Sequence, residues 1–311
     1  MQSSLEQFIE HAKEHTVIPV WKELVADLIT PVSAFERIVG DQPGFLLESV
    51  EHGERWSRWS FIGRNPLLTI KKIDSQLLVE GEIPIEFDVN GQILESVRAL
   101  QRTLSAPQIE NFPPMYSGLL GYLGYDTVRE IEDLPTPAND DLQVPDAILS
   151  VIGEVAAFDH WSQRVFLIAN AIVKPQSSES EITESYYETK NRLDSLMLDG
   201  AKPLSEPLLD PPNLNTNSVE VKSTMSENDY CGIVEKAKDY ILAGDIFQVV
   251  LSQRFDFDLE ANPFDVYRVL RQINPSPYMY FVKNEEVTLV GCSPEPLIQL
   301  RDNTITSRPI A

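Results

Sequence analysis

The chain is 311 residues long and 42% hydrophobic, with 48 acidic against 25 basic side chains and a formal net charge of −23. That length supports a sizeable core, in two domains or in one large domain with part of another. No Lys/Arg-rich run occurs, so the charge speaks against nucleic acid and anionic membrane as partners, since both select a cationic surface.

In chain order, "MQSSLEQFIEHAKEH" sets Leu5, Phe8, Ile9 and Ala12 at helical spacing among acids, which predicts a surface helix and no signal peptide. No apolar run reaches the roughly 20 residues of a membrane span. Cys231 and Cys292 build no disulfide framework, and with four scattered histidines they make no zinc pattern, so a reducing cytoplasm is the expected location. In "ERWSRWSFIGR" (54–64) the alternation predicts a strand with Trp56 and Trp59 partly buried, and Arg55 and Arg58 neutralising nearby acids. The glycines at 118, 121 and 124 in "GLLGYLGYD" predict backbone packed closely on backbone; no Lys-Ser/Thr follows, and the spacing is wrong for a phosphate loop. The acid-rich stretch 129–146 reads as a solvated loop, and 147–173 as two long strands joined by a hairpin turn at 159–163.

A capped helix over about 180–198 comes next, then a linker marked by Pro203, Pro207, Pro211 and Pro212. The expected division is a first domain over 1–215, its linker at about 199–222, and a second domain from 223. That second stretch opens with a helix capped by Ser226 and Asp229, striped by Tyr230, Ile233, Val234, Ala237 and Ile241, and stopped at Gly244. "IFQVVLSQRFDF" (246–257) alternates as a strand. Asn262 and Pro263 open another helix. After "NPSPYMYFV" two more strands turn at 302–303. The fold class is α+β, a layered arrangement with mostly antiparallel sheets. The sheet of the second domain is expected to be incomplete at the C-terminus, with an open edge and exposed apolar surface.

Five ordered stretches, "FLLESVEHGERWSRWSFIGR" (45–64), "AGDIFQVVLSQRF" (243–255), "NPSPYMYF" (274–281), "GCSPEPL" (291–297) and "SRPIA" (307–311), resemble anthranilate synthase component I. The resemblance spans nearly the whole chain. It implies a lyase that converts chorismate and ammonia to anthranilate and pyruvate in tryptophan biosynthesis, with ammonia from a partner glutamine amidotransferase (component II), Mg²⁺ as cofactor and feedback by L-tryptophan. It also implies that the chain is a fragment, inactive alone, whose Mg²⁺ ligands and most chorismate contacts lie beyond residue 311. An acidic protein that binds a dianion needs such a cation as its local positive charge.

Gln248 stands where related isochorismate and salicylate synthases place a water-activating lysine. A neutral amide is no general base, so the resemblance disfavours water addition there; the plain alternative is a strand side chain turned to solvent. At Ala311, on the edge of the chorismate-binding motif, the related aminodeoxychorismate synthases often carry lysine, and alanine disfavours that relative. Aminodeoxychorismate synthase component I and a non-enzymatic tryptophan-binding module are the alternatives. "LLES" (46–49) and "NPSPYM" (274–279) resemble the two segments of the tryptophan pocket, one from each domain. Pro275 and Pro277 would stiffen the loop, Tyr278 and Met279 offer a flat and a polarizable surface to an indole, Ser49 a hydrogen bond, and Glu48 a counter-charge for the ammonium. Leu46, Leu47 and Tyr280 read as core.

Overall fold

The computed structural model describes residues 2–50, 58–73, 76–89, 91–135, 140–204, 209–211, 219–301 and 303–309. In chain order the elements are α1 (Leu5–His11), β1 (Val17–Val25), α2 (Pro31–Ile38), β2 (Gly44–Glu48), β3 (Trp59–Arg64), β4 (Leu68–Ile73), β5 (Gln76–Glu80) and α3 (Ile93–Thr103). Then come β6 (Leu119–Leu123), a 3₁₀ helix (Tyr125–Glu130), β7 (Ala147–Val151), β8 (Glu154–Asp159), β9 (Arg164–Ile172) and α4 (Glu179–Gly200). The remainder is β10 (Lys222–Ser223), α5 (Glu227–Ala243), β11 (Phe255–Asp256), α6 (Pro263–Ile273), β12 (Tyr278–Lys283), β13 (Thr288–Ser293), β14 (Gln299–Arg301) and β15 (Thr304–Thr306).

Helix ends follow local chemistry. Ser4 with Gln7, Thr30 with Ser33 and Ser178 with Glu181 close reciprocal capping boxes, which satisfy N–H groups the helix itself cannot. Ser226 accepts from the Asp229 N–H, and Gly244, at φ 81°, ends α5 in the left-handed conformation glycine adopts freely. Asn262 Oδ1 accepts from the Phe264 N–H at 2.9 Å as α6 opens.

Two compact units result: residues 1–207 with 270–294, and residues 208–269 with 295–311. They are not the consecutive stretches on either side of the proline-rich linker, because β12 and β13 add to the first unit's sheet. That sheet has seven antiparallel strands in the order β1-β9-β8-β3-β2-β12-β13. A second, four-stranded antiparallel sheet runs β5-β4-β7-β6. Side chains alternate across each strand, so the large sheet has two apolar faces. One carries Ile18, Leu46, Ile62 and Phe281 and is covered by α1, α2 and α4. The other carries Phe45, Val155, Phe166, Ile168 and Val282; there Phe112 meets Trp21, Tyr116 and Phe166 edge-on at 5.0–5.6 Å, and Leu120 brings in the smaller sheet. The layered α+β architecture with open antiparallel sheets is the one expected. The second unit holds α5, most of α6 and two short strand pairs, β10-β11 and β14-β15.

Three expectations change. The first long strand of 147–173 is broken: β7 joins the small sheet and β8 the large one. Gly153 lies at the break, where a Cβ would fall 1.8 Å from the Asn65 carbonyl oxygen. The strand over 246–257 survives only as Phe255–Asp256, because its partner β10 is two residues long and a ladder extends no farther than its neighbour; Phe247 and Val250 are 99% and 83% exposed. The 129–146 loop is not wholly solvated, since Glu130 is 7% exposed at its side chain and accepts from the Ile93 and Leu94 N–H groups and from Lys72 Nζ. Gly121 behaves as expected: a Cβ there would meet the Ile148 carbonyl oxygen at 1.8 Å, so glycine lets β6 lie on β7.

Candidate functional site

The site is built where β2 and β12 pair, with Glu48 opposite Met279, Leu47 opposite Tyr280 and Leu46 opposite Phe281. Alternation puts Leu46, Glu48, Met279 and Phe281 on the helix-covered face, where Phe281 meets Phe35 of α2 at 5.3 Å. Sequence stretches more than 200 residues apart thus become neighbours in one sheet of one unit. The turn into β12 is tied down as well, since the Val50 N–H donates to the Ser276 carbonyl at 3.1 Å. Ser49 lies between that bond and Glu48, and its Oγ is buried without a hydrogen-bond partner among the described residues.

Glu48 is buried and therefore needs a counter-charge. Arg271, in the last turn of α6, supplies it: Nε lies 2.8 Å from Oε2 and Nη2 3.2 Å from Oε1. Ser60, on the same face of β3 as Ile62, hydrogen-bonds Nε2 of His160 at 2.7 Å. Loss of hydration pulls the His160 imidazole below its ordinary pKa; Glu48 and Asp159 act against this and Arg271 with it. Alongside, Arg58 forks onto Asp159 at 3.0 and 2.7 Å, with its guanidinium 4.8 Å from the Trp59 ring and 5.0 Å from Trp161. Burial raises the Asp159 carboxyl, but Arg58, Ser162 and the Trp161 N–H outweigh it and hold its pKa below the usual value.

Of the residues singled out from sequence, Glu48, Ser49, Pro277 and Met279 come together at this end of the sheet. Tyr278 does not share a face with Met279: it is 45% exposed, while Met279 is 1% exposed. Gln248 belongs to the other unit, exposed and outside any strand. Ala311, Arg55 and Trp56 lie outside the described residues. Among the described residues no group of three or more His, Cys, Asp or Glu is placed to hold a metal ion. No helix among them is long and apolar enough to cross a membrane. Sequence reasoning missed Arg271, Ser60 and His160. Arg271 had a signal in its place, a cation closing an amphipathic helix just ahead of the Pro-Ser-Pro turn; His160 looked like ordinary turn chemistry.

The profile of the chorismate binding enzymes matches residues 44–311, and the chain belongs to that family. Within it, the chain is similar to the anthranilate synthase component 1 of Mycolicibacterium smegmatis, at 38% identity over 99% of this chain and 60% of the relative. The protein of that name from Acetivibrio thermocellus is 36% identical over 96% of this chain and 60% of its own length. The crystal structure of anthranilate synthase component I from Streptococcus pneumoniae superposes with a TM-score of 0.64 at 26% identity, covering 91% of this chain and 60% of that one. The chain therefore spans about three fifths of the length of these relatives.

Proposed function

We propose that the chain serves in an anthranilate synthase component I, a lyase that takes chorismate and ammonia to anthranilate and pyruvate in the cytoplasm. A glutamine amidotransferase partner supplies the ammonia. Mg²⁺ holds substrate carboxylate when bound, and we assign its ligands to the part of the relatives' length that this chain does not span. Among the residues present here, the sheet junction of β2 and β12 is the effector site for L-tryptophan. Glu48 faces the ammonium, Ser49 offers its hydroxyl to the polar end of the amino acid, and Pro277 and Met279 form the wall for the indole.

The observation that carries this reading is the pairing of Glu48 with Met279, beside a buried hydroxyl that lacks a partner among the described residues. A buried hydroxyl left unbonded costs about 1–3 kcal/mol, so a ligand that bonds it recovers that free energy. For feedback, tryptophan must favour the inhibited state over the active one, because equal affinity shifts nothing. In this reading the stretch from 223 opens the chorismate-binding part in sequence, while its residues 270–294 belong to the first compact unit.

The test is anthranilate fluorescence in the complete enzyme, given chorismate, ammonia and Mg²⁺. Ser49→Phe is expected to abolish inhibition by L-tryptophan while anthranilate still forms. Unchanged inhibition rejects the effector assignment, and failure of the unsubstituted enzyme to form anthranilate rejects the reaction.

A further inference from the structure

A second polar cleft, of about 540 Å³, lies at the other end of β2 and β3, between α4 and the β3–β4 connection. Arg64 on its wall pairs with Gly44, four residues along β2 from Glu48, so the two sites are about 13 Å apart at the strand rise. The connection is held firmly. Asn65 sits at φ 47°, the Leu67 N–H donates to the Val151 carbonyl at 3.0 Å, and only a glycine at 153 admits the Asn65 carbonyl so close.

The two arginines of this cleft are paired differently. Arg64 is fully engaged, by Glu154 at 2.8 Å, by Asp199 at 2.6 Å and by the Ile38 carbonyl at 2.6 Å. Glu154 is equally occupied, since its other oxygen accepts from Asn65 Nδ2 at 3.1 Å. Arg192 is different. Its Nη2 donates to the Asn170 carbonyl at 2.6 Å and to Thr189 Oγ1 at 3.2 Å, and it forms no ion pair among the described residues. Removal from water pulls its pKa below the ordinary guanidinium value, with Glu154 and Glu188 acting against that from farther away. In a chain with 48 acidic side chains, a half-buried guanidinium without a carboxylate partner among the described residues is an unmet electrostatic demand.

We propose that this cleft binds a small organic carboxylate, with Arg192 as its counter-ion. The planar guanidinium fork matches a carboxylate in geometry. Arg192 is a single guanidinium without an ion pair among the described residues, so a monoanion fits better than a dianionic phosphate. Pro66 and Leu67 give the body of the ligand an apolar wall, while Asn191 and Ser195 supply neutral polar contacts.

The test is calorimetric titration of the chain with sodium benzoate at constant ionic strength. Unsubstituted protein is expected to give saturable binding, weakened at least about tenfold by Arg192→Gln. Ser195→Glu provides a second variant that does not remove a packed side chain: position 195 is exposed and one helical turn from Arg192, so the new carboxylate occupies the guanidinium and also blocks benzoate. Absence of saturable binding to the unsubstituted chain, or unsubstituted affinity retained by both variants, overturns the proposal. Competition by L-tryptophan overturns the location, and its absence keeps this site separate from the effector reading.

Discussion

At the residue scale, buried carboxylates organise the chain more than its surface charge does. Glu48 is held by Arg271, and removal of one partner from a buried pair strands the other. Arg271→Met is expected to lower unfolding free energy by about 3 kcal/mol, with much of the loss restored by adding Glu48→Gln, as read from urea midpoints. Glu130 acts differently, as a cap for α3 from outside the helix, where Gln92 makes no side-chain cap. Burial raises the Glu130 carboxyl, but Lys72 and the two N–H groups outweigh it and hold its pKa below the usual 4.5. Its contribution is therefore present above the unfolded value and is lost as pH falls through the folded one. Glu130→Gln is expected to destabilise by about 1–2 kcal/mol at pH 7 and progressively less below pH 4. A penalty that does not shrink in acid would contradict this. None of these partners was legible in advance, because sequence shows a charge but not the distant group that will neutralise it.

At the element scale, the helices were legible because their signals are local. Ser178, Ser226, Asn262 and Gly244 mark ends within one turn of the residues they serve. Strands were legible only where partners exist. The alternation in 246–257 is as regular as that in β12, yet β12 lies between two neighbours and 246–253 pairs with no strand among the described residues. The break at Gly153 was hidden for a related reason, since both halves are apolar and only the tertiary position of Asn65 separates them. Register within the large sheet rests on aromatic rings laid over glycines: Phe45 faces Gly63 and Tyr280 faces Gly291. A Cβ on Gly63 would stand 2.1 Å from the Phe45 ring. Gly63→Val is expected to cost about 1–3 kcal/mol through this overpacking, as measured by chemical denaturation. A neutral substitution would show that the ring moves aside freely.

At the scale of the whole molecule, a sequence far from the N-terminus completes a sheet begun near it, and the candidate effector residues lie on that seam. The two segments, "LLES" and "NPSPYM", were recognisable by resemblance; their adjacency and the Arg271 clamp were not, since both depend on how β12 adds to β2. Methionines other than Met279 serve as internal controls for a direct measurement. With ¹³C-methyl methionine incorporated, L-tryptophan is titrated into the chain and the methyl resonances are followed. The Met279 methyl is expected to move in a saturable way under the ring current of the indole, while those of Met115, Met197 and Met225 stay in place. A Met279 resonance that does not move at saturating tryptophan would contradict the assignment of this seam as the effector site.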